Sequence, residues 1–491
     1  MNMVQPSGTS LEHFSGFSIY LNSLVQKDET LYLLAREKES GERRLLVRGL
    51  VDGFEGEQLA HTGIWACPLS PQNAFQLRQR LTWLSPQPLG LAPSFGFGDR
   101  LGCATPGHVQ AARGAALQPV FAQQSVRENA RTGRTPQQVL DDAMWGVFQA
   151  GWRQPWGADA DHLKTLDDLL SFVSAGYTFF TVDPGELVDH AASEAALVEL
   201  RRKAAQLPWH LLKSSLSDMR QAYQDRTFRL QGLELSFDEL TLFCAAVKYG
   251  RAIAHVAQMY ARLAELMSGQ TFDFEVSVDE TDTPTTVGEH FFIASELERL
   301  GIRFTSLAPR FPGRFEKGVD YLGDLPALRA ELSEHVAVMR HFGSYKLSLH
   351  SGSDKFSLYP AFAELTGGRV HVKTAGTSYL EALRLLARLE PELFGEILNF
   401  ARQRYPSDRL SYHVSARIEA VPPAEALSEA ELPSLLEQFD ARQVLHVTFG
   451  SVLGRFGNRL VAALVSHEQA YAEGLQAHFK KHLAPFAPLA G

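Results

Sequence analysis

Phe274-Glu275-Val276-Ser277-Val278-Asp279 alternates apolar and polar residues without a break. Successive side chains of a strand point to opposite faces, so Phe274, Val276 and Val278 share one face and Glu275, Ser277 and Asp279 the other. Burying an ionised carboxylate unpaired costs several kcal/mol, so such groups persist where they pair, bind metal or do chemistry. A strand of this kind fits a barrel whose outer face packs against helices and whose interior collects polar groups. The same sorting recurs elsewhere. In Lys346-Leu347-Ser348-Leu349-His350 the leucines leave Ser348 and His350 together; Val370 and Val372 leave His371 and Lys373; Phe180 and Val182 leave Thr181 and Asp183. Carboxylates, histidines and a lysine from separate strands converge on one interior.

Outward from that stretch, short apolar runs alternate with helical patterns from about Pro93 onward, which indicates βα units and a parallel sheet. Strands are expected near 93–98, 155–160, 177–183, 272–279, 302–307, 344–349, 369–373 and 409–414. Eight such units close a (β/α)8 TIM-type barrel, with the active site at the C-terminal strand ends. The competing arrangement is an open doubly wound sheet, but its dinucleotide fingerprint is missing. Gly96-Phe97-Gly98-Asp99-Arg100-Leu101-Gly102 has its third glycine one residue late. The fold class is thus an α/β barrel with a small β-rich N-terminal element over 1–90 and a catalytic domain over 91–491. Helical insertions are expected around 200–270 and, smaller, between 105 and 150. The tail from 423 onward reads as helical, to cap the barrel or form a subunit contact.

With 491 residues, 45% hydrophobic and 21% charged, composition excludes disordered, collagenous and disulfide-scaffold classes. The net charge of −9, with no basic run, argues against nucleic acid and anionic membranes as partners and favours a small molecule. Three scattered cysteines, Cys67, Cys103 and Cys244, fit buried free thiols in a reducing compartment. The opening MNMVQPSGTSLEHF has no basic region followed by an apolar one, and no run approaches the about 18 apolar residues of a membrane span. A cytoplasmic location is expected, with oligomeric state left open.

Gly157-Ala158-Asp159-Ala160-Asp161-His162-Leu163-Lys164 places an adjacent Asp-His pair at a strand end. Imidazole and carboxylate are ligands for Zn2+, Mn2+ and similar ions, and His162 and His350 are the foremost ligand candidates. His371 is balanced between ligation and a core hydrogen bond. Glu280 and Asp282 read as a helix-capping acidic loop. Arg310, Arg314 and Lys317 are either a solvated loop or a site for a substrate carboxylate.

Two resemblances follow from these residues. GADADHLK, then Ala175-Gly176-Tyr177-Thr178 and Asp183-Pro184-Gly185, then Leu347-Ser348-Leu349-His350-Ser351-Gly352-Ser353 and His371-Val372-Lys373-Thr374, remotely resemble class II ketose aldolases. That likeness implies Asp161 as the proton-transfer group and His162 and His350 as metal ligands. The aldolases' third ligand motif is missing; at its place stands RFPGRFEKG, which makes Glu316 the candidate replacement. More closely, VDETDTPTT, EHFFIASEL, SLAPRFPGRFEKGVDYLGD, YKLSLHSGSDKF and HVKTAGTSYLEALR resemble the tagaturonate/fructuronate epimerase family. The resemblance implies a divalent-metal-dependent epimerase (Zn, Mn, Ni or Fe) of hexuronate catabolism. Its substrates would be D-tagaturonate and D-fructuronate, or the neutral ketoses tagatose and fructose, inverted at C4. Glu275 is then the second catalytic proton-transfer group, and Asp183, Arg310, Ser351, Ser353, Lys373 and Thr374 are substrate-binding candidates. Inversion proceeds either by cleavage and re-addition or by direct C–H exchange between Asp161 and Glu275. A metal-dependent aldolase and a non-catalytic sugar-binding barrel subunit are the alternatives.

Overall fold

Strands apolar on one face and polar on the other have to close before the polar face is buried with partners. Here they close into a barrel. The computed structural model describes residues 16–487, so the opening MNMVQPSGTSLEHF lies outside the described residues. The barrel strands are β1 (Ser94–Phe97), β2 (Gln118–Ser125), β3 (Gly157–Leu163), β4 (Phe179–Val182), β5 (Asp273–Ser277), β6 (Ser306–Ala308), β7 (Lys346–Leu349) and β8 (Val370–Thr374). Each pairs in parallel with the next, and β8 returns to β1.

Two expectations are corrected. Residues 105–150 are not merely an insertion, because they carry β2 between the helices Thr105–Ala112 and Val126–Thr132. Its Gln123-Gln124-Ser125 stretch is too polar to read as a core strand, yet these side chains are buried at the barrel's upper end. Conversely, 409–414 is not a strand; Arg409–Ser411 is a 3-10 turn ending the helix Pro391–Asp408. The segment between β4 and β5 is helical as expected, with the 28-residue helix Glu239–Leu266, and adds a hairpin of Arg226–Leu230 and Leu233–Phe237.

The N-terminal strands form a six-stranded sheet. Alternation in Thr30–Glu37 divides its burial: Tyr32 and Leu34 join the main core shared with the barrel, while Leu31, Leu33 and Ala35 build a small core of their own. The tail is three helices, Phe439–Val447, Phe449–Ser466 and Glu468–Leu483. The last packs Phe479 against Phe97, with ring centroids 5.1 Å apart, and the first carries His446 to the barrel's C-terminal mouth. Among the described residues no helix is long and apolar enough to cross a membrane.

Candidate active site

Register sets the floor of the site. Thr181 of β4 pairs with Glu275 of β5, and Asp161 of β3 with Ser125 of β2. Lys373 of β8 reaches across: its Nζ donates to Asp161 Oδ1 at 2.8 Å and Thr181 Oγ1 at 2.6 Å. The same ammonium forms ion pairs with Asp159 at 2.7 Å and Glu275 at 2.8 Å. Three buried carboxylates thus share one ammonium, a surplus of negative charge that shows in their protonation. Burial, with Asp161 and Glu275 adding repulsion, pushes Asp159 up to about 7 against the pull of Lys373. Burial acts the same way on Asp161, but Lys373 and the imidazoles of His162 and His350 outweigh it and hold the carboxyl well below the usual range.

Above this floor lie two imidazoles. Asp161 and His162 are neighbours in sequence, so in a regular strand only one of them faces inward. A register shift in the β3–β4 pairing and a left-handed backbone at His162, with φ of +53°, re-aim the second side chain to the mouth. Such a conformation costs on the order of 1–3 kcal/mol for a residue other than glycine and is held by its surroundings. His162 and His350 then stack with ring centroids 4.4 Å apart and planes 15° from parallel.

Each ring is fixed from behind by a carboxylate. His162 Nδ1 lies 3.1 Å from Asp183 Oδ2, and His350 Nδ1 lies 3.0 Å from Asp279 and 2.7 Å from Ser277 Oγ. Both Nε2 atoms therefore face forward. His350 Nε2 is 2.9 Å from Asp161 Oδ1; His162 Nε2 is 3.9 Å from Asp161 Oδ2 and 4.0 Å from Glu280 Oε1. Ligand-type atoms of Asp161, His162 and His350 all lie within 4.8 Å of one another, as do those of His162, Asp183 and Glu280. Imidazoles oriented by carboxylates through the far nitrogen are the usual arrangement around a bound metal, so the donor set fits a divalent cation. Burial lowers His350, yet the carboxylates of Asp279 and Asp161 hold it well above the ordinary histidine range.

The site opens into a cleft of two adjoining lobes that share Glu280, Lys317, His350 and Ser351. The outer lobe, about 290 Å³, is lined by Arg310, Arg314 and Lys317. The inner lobe, about 40 Å³, reaches Asp161, His162 and Lys373. Tyr412 borders both, held from behind by Arg131, whose guanidinium donates to its hydroxyl.

A sequence model of a family described as UxaE, tagaturonate epimerase, matches residues 20–486. The chain belongs to the tagaturonate epimerase family. It is an epimerase, in the isomerase class. It is 43% identical over 482 residues to the tagaturonate/fructuronate epimerase of Thermotoga maritima, covering 96% of this chain and 98% of that one. Crystal structures of the fructuronate-tagaturonate epimerase UxaE from Cohnella laeviribosi, native and with one glycerol, superpose with TM-scores of 0.92 and 0.91 at 37% identity. The native one covers 97% of this chain and 98% of its own, the glycerol complex 96% of each.

In this epimerase several anticipated residues meet and others do not. Asp161, His162, His350 and Lys373 come together. Asp183 lies behind His162, where its other oxygen accepts from the Gly185 backbone, so it orients the ring. Arg310 and Ser351 line the outer lobe and Ser353 the inner. Glu275 does not border either lobe. It is fully buried beneath Lys373 and also accepts from Ser306 and Thr181. Thr374 spends its hydroxyl on the Gly96 carbonyl at 2.7 Å. Glu316 joins neither imidazole group: its Oε2 accepts from Ser415 Oγ and Gln443 Nε2, both at 2.7 Å, and anchors the tail. Glu280, expected to be a loop cap, faces His162 instead. His371 bonds Ser94 Oγ at 2.8 Å, in the core.

Proposed function

We propose that this epimerase interconverts D-tagaturonate and D-fructuronate by inverting the C4 carbinol. A divalent cation would be held by the Nε2 atoms of His162 and His350 with Glu280, beside Asp161. One observation carries this reading: the converging Nε2 atoms and the Asp161–Lys373 pair share one cleft in a chain 43% identical to an enzyme named for that interconversion. When bound, the ion would supply a Lewis acid for the negative charge that gathers on the ketone side as the C3–C4 bond breaks.

The residues supply the rest. Asp161 Oδ1 is held by Lys373 at 2.8 Å, which leaves Oδ2 to accept the proton of the C4 hydroxyl. Loss of that proton breaks the C3–C4 bond, and the electron pair moves onto the ketone side. The aldehyde turns and re-adds from its other face, and Asp161 returns the proton. Lys373 keeps Asp161 ionised until it takes that proton and favours the ionised form again once the proton is returned. Direct C–H exchange needs a second base at the opposite face, and Glu275, with Lys373 between it and the cleft, does not favour that route. Tyr412 above both lobes keeps the aldehyde from leaving.

The test is proton NMR of D-fructuronate incubated with the enzyme in D2O. The expected product is the C4 epimer with no deuterium at C4. Accumulating fragments would make the protein an aldolase, deuterium at C4 would restore the exchange route, and an unchanged ketose would leave only sugar binding. Arg310 is assigned to the substrate carboxylate: its Nε is buried without a hydrogen-bond partner among the described residues. Arg310→Ala is expected to lower kcat/KM for the uronates about a hundredfold and to leave neutral ketoses nearly unaffected. Equal losses on both would remove Arg310 from that role.

A further inference from the structure

Two residues that line the inner lobe carry buried polar atoms that the proposed chemistry does not use. Arg100, 4% exposed, places Nε and Nη2 each 2.7 Å from Glu128 Oε1 and lies over the Phe449 ring at 3.7 Å. Its Nη1 finds no hydrogen-bond partner among the described residues, nor does Nδ1 of His446, which is 1% exposed. Both residues line the inner lobe. Behind them begins the 13-residue helix Thr377–Leu389, whose cap residue Gly376 offers no side-chain cap. A Cβ on Gly376 would stand 2.0 Å from His446 Nε2, so the imidazole rests on the backbone at the helix start and is fixed in place. Polar groups buried this deeply are normally satisfied, and two such orphans on side chains that line one small space point to a ligand group that engages both.

We propose that the inner lobe is the subsite for the hydroxymethyl end of the ketose, the carbon next to the carbonyl, with His446 and Arg100 as the residues that read it. The proposal rests on the function proposed above and adds the direction in which the substrate lies. Size supports it: about 40 Å³ holds one small group, while the outer lobe, about 290 Å³, holds the longer arm. Charge supports it as well. The cations that line the inner lobe are already engaged: Arg100 by Glu128, Lys373 by three carboxylates, Arg127 and Lys317 by Glu280, and Lys355 by the backbone carbonyls of Glu316, Val319 and Ser353. Burial, helped by Arg100 and Lys317, holds His446 well below the ordinary histidine range and therefore neutral. A neutral imidazole nitrogen accepts where a guanidinium donates, and a hydroxyl group does both at once, which a carboxylate does not. The carboxylate end is left to Arg310 in the outer lobe.

The test compares His446→Leu with His446→Asn, two side chains of similar size of which the second keeps a polar atom near the Nδ1 position. Each is assayed on a uronate ketose, on the matching neutral ketose and on the uronate lacking the terminal hydroxyl next to the carbonyl. His446→Leu is expected to lower kcat/KM about ten- to a hundredfold on the uronate and the neutral ketose alike. His446→Asn should recover most of that loss, and on the deoxy substrate Leu and wild type should be equal. A penalty confined to the uronate would put the carboxylate in the inner lobe and overturn the proposal. Equal losses for Leu and Asn, or a full penalty on the deoxy substrate, would reduce His446 to packing. Wild-type enzyme inert toward both intact ketoses would overturn the epimerase reading itself, and the subsite with it.

Discussion

Asp161→Asn is expected to lower turnover by about a thousandfold, within the range general-base catalysis supplies. The amide matches the carboxylate in size and its oxygen still accepts from Lys373, so the fold and the imidazole pair should survive. No pH should restore activity, because the substituted group has no proton to lose. The measurement is kcat as a function of pH, with circular dichroism to show the fold. Turnover within about tenfold of wild type would move the proton transfer elsewhere, and Glu280 would be the first residue to test.

Lys373→Met is the second large effect, and it differs in kind. It leaves Asp159, Asp161 and Glu275 facing one another without a cation. Breaking such a buried ion cluster on one side costs about 3–5 kcal/mol, read as a lower denaturation midpoint. The sign of the pH effect follows from the same contacts. Lys373 depresses Asp161, so its removal raises the pKa of Asp161 and keeps the base protonated to higher pH. Residual activity should therefore shift its acid limb toward alkaline pH, whereas Asp161→Asn shows no such limb. An unshifted profile would mean that Lys373 does not hold Asp161 ionised.

Period-two alternation made the inward face of β5, β7 and β8 legible, and with it the meeting of Glu275, His350 and Lys373. Alternation gives the face of a residue and not its depth. Glu275 and Lys373 both point inward, yet one lies beneath the other, and only the closed barrel separates the layers. His162 is the opposite case: alternation turns it away from Asp161, and the left-handed bulge that brings it back has no mark in GADADHLK. β2 escaped because its polar end, buried in the barrel, has the composition of a loop. Glu316 misses the site for a reason of distance in space: RFPGRFEKG follows β6 at the motif position, but its carboxylate is taken by Ser415 and Gln443, some hundred residues onward. His446 and Arg100 carry no local motif, since tail and barrel meet only in the fold.

A cation held between the rings of His162 and His350 is central to the proposed chemistry, and its most direct measurement is the divalent metal bound per purified chain. The expected result is one ion per wild-type chain, lost with activity on chelation and regained with it. His162→Ala and His350→Ala should lose the ion, and Glu316→Gln should keep it. A wild-type enzyme fully active after exhaustive chelation, or a His350→Ala variant that retains a full equivalent of metal, would contradict it.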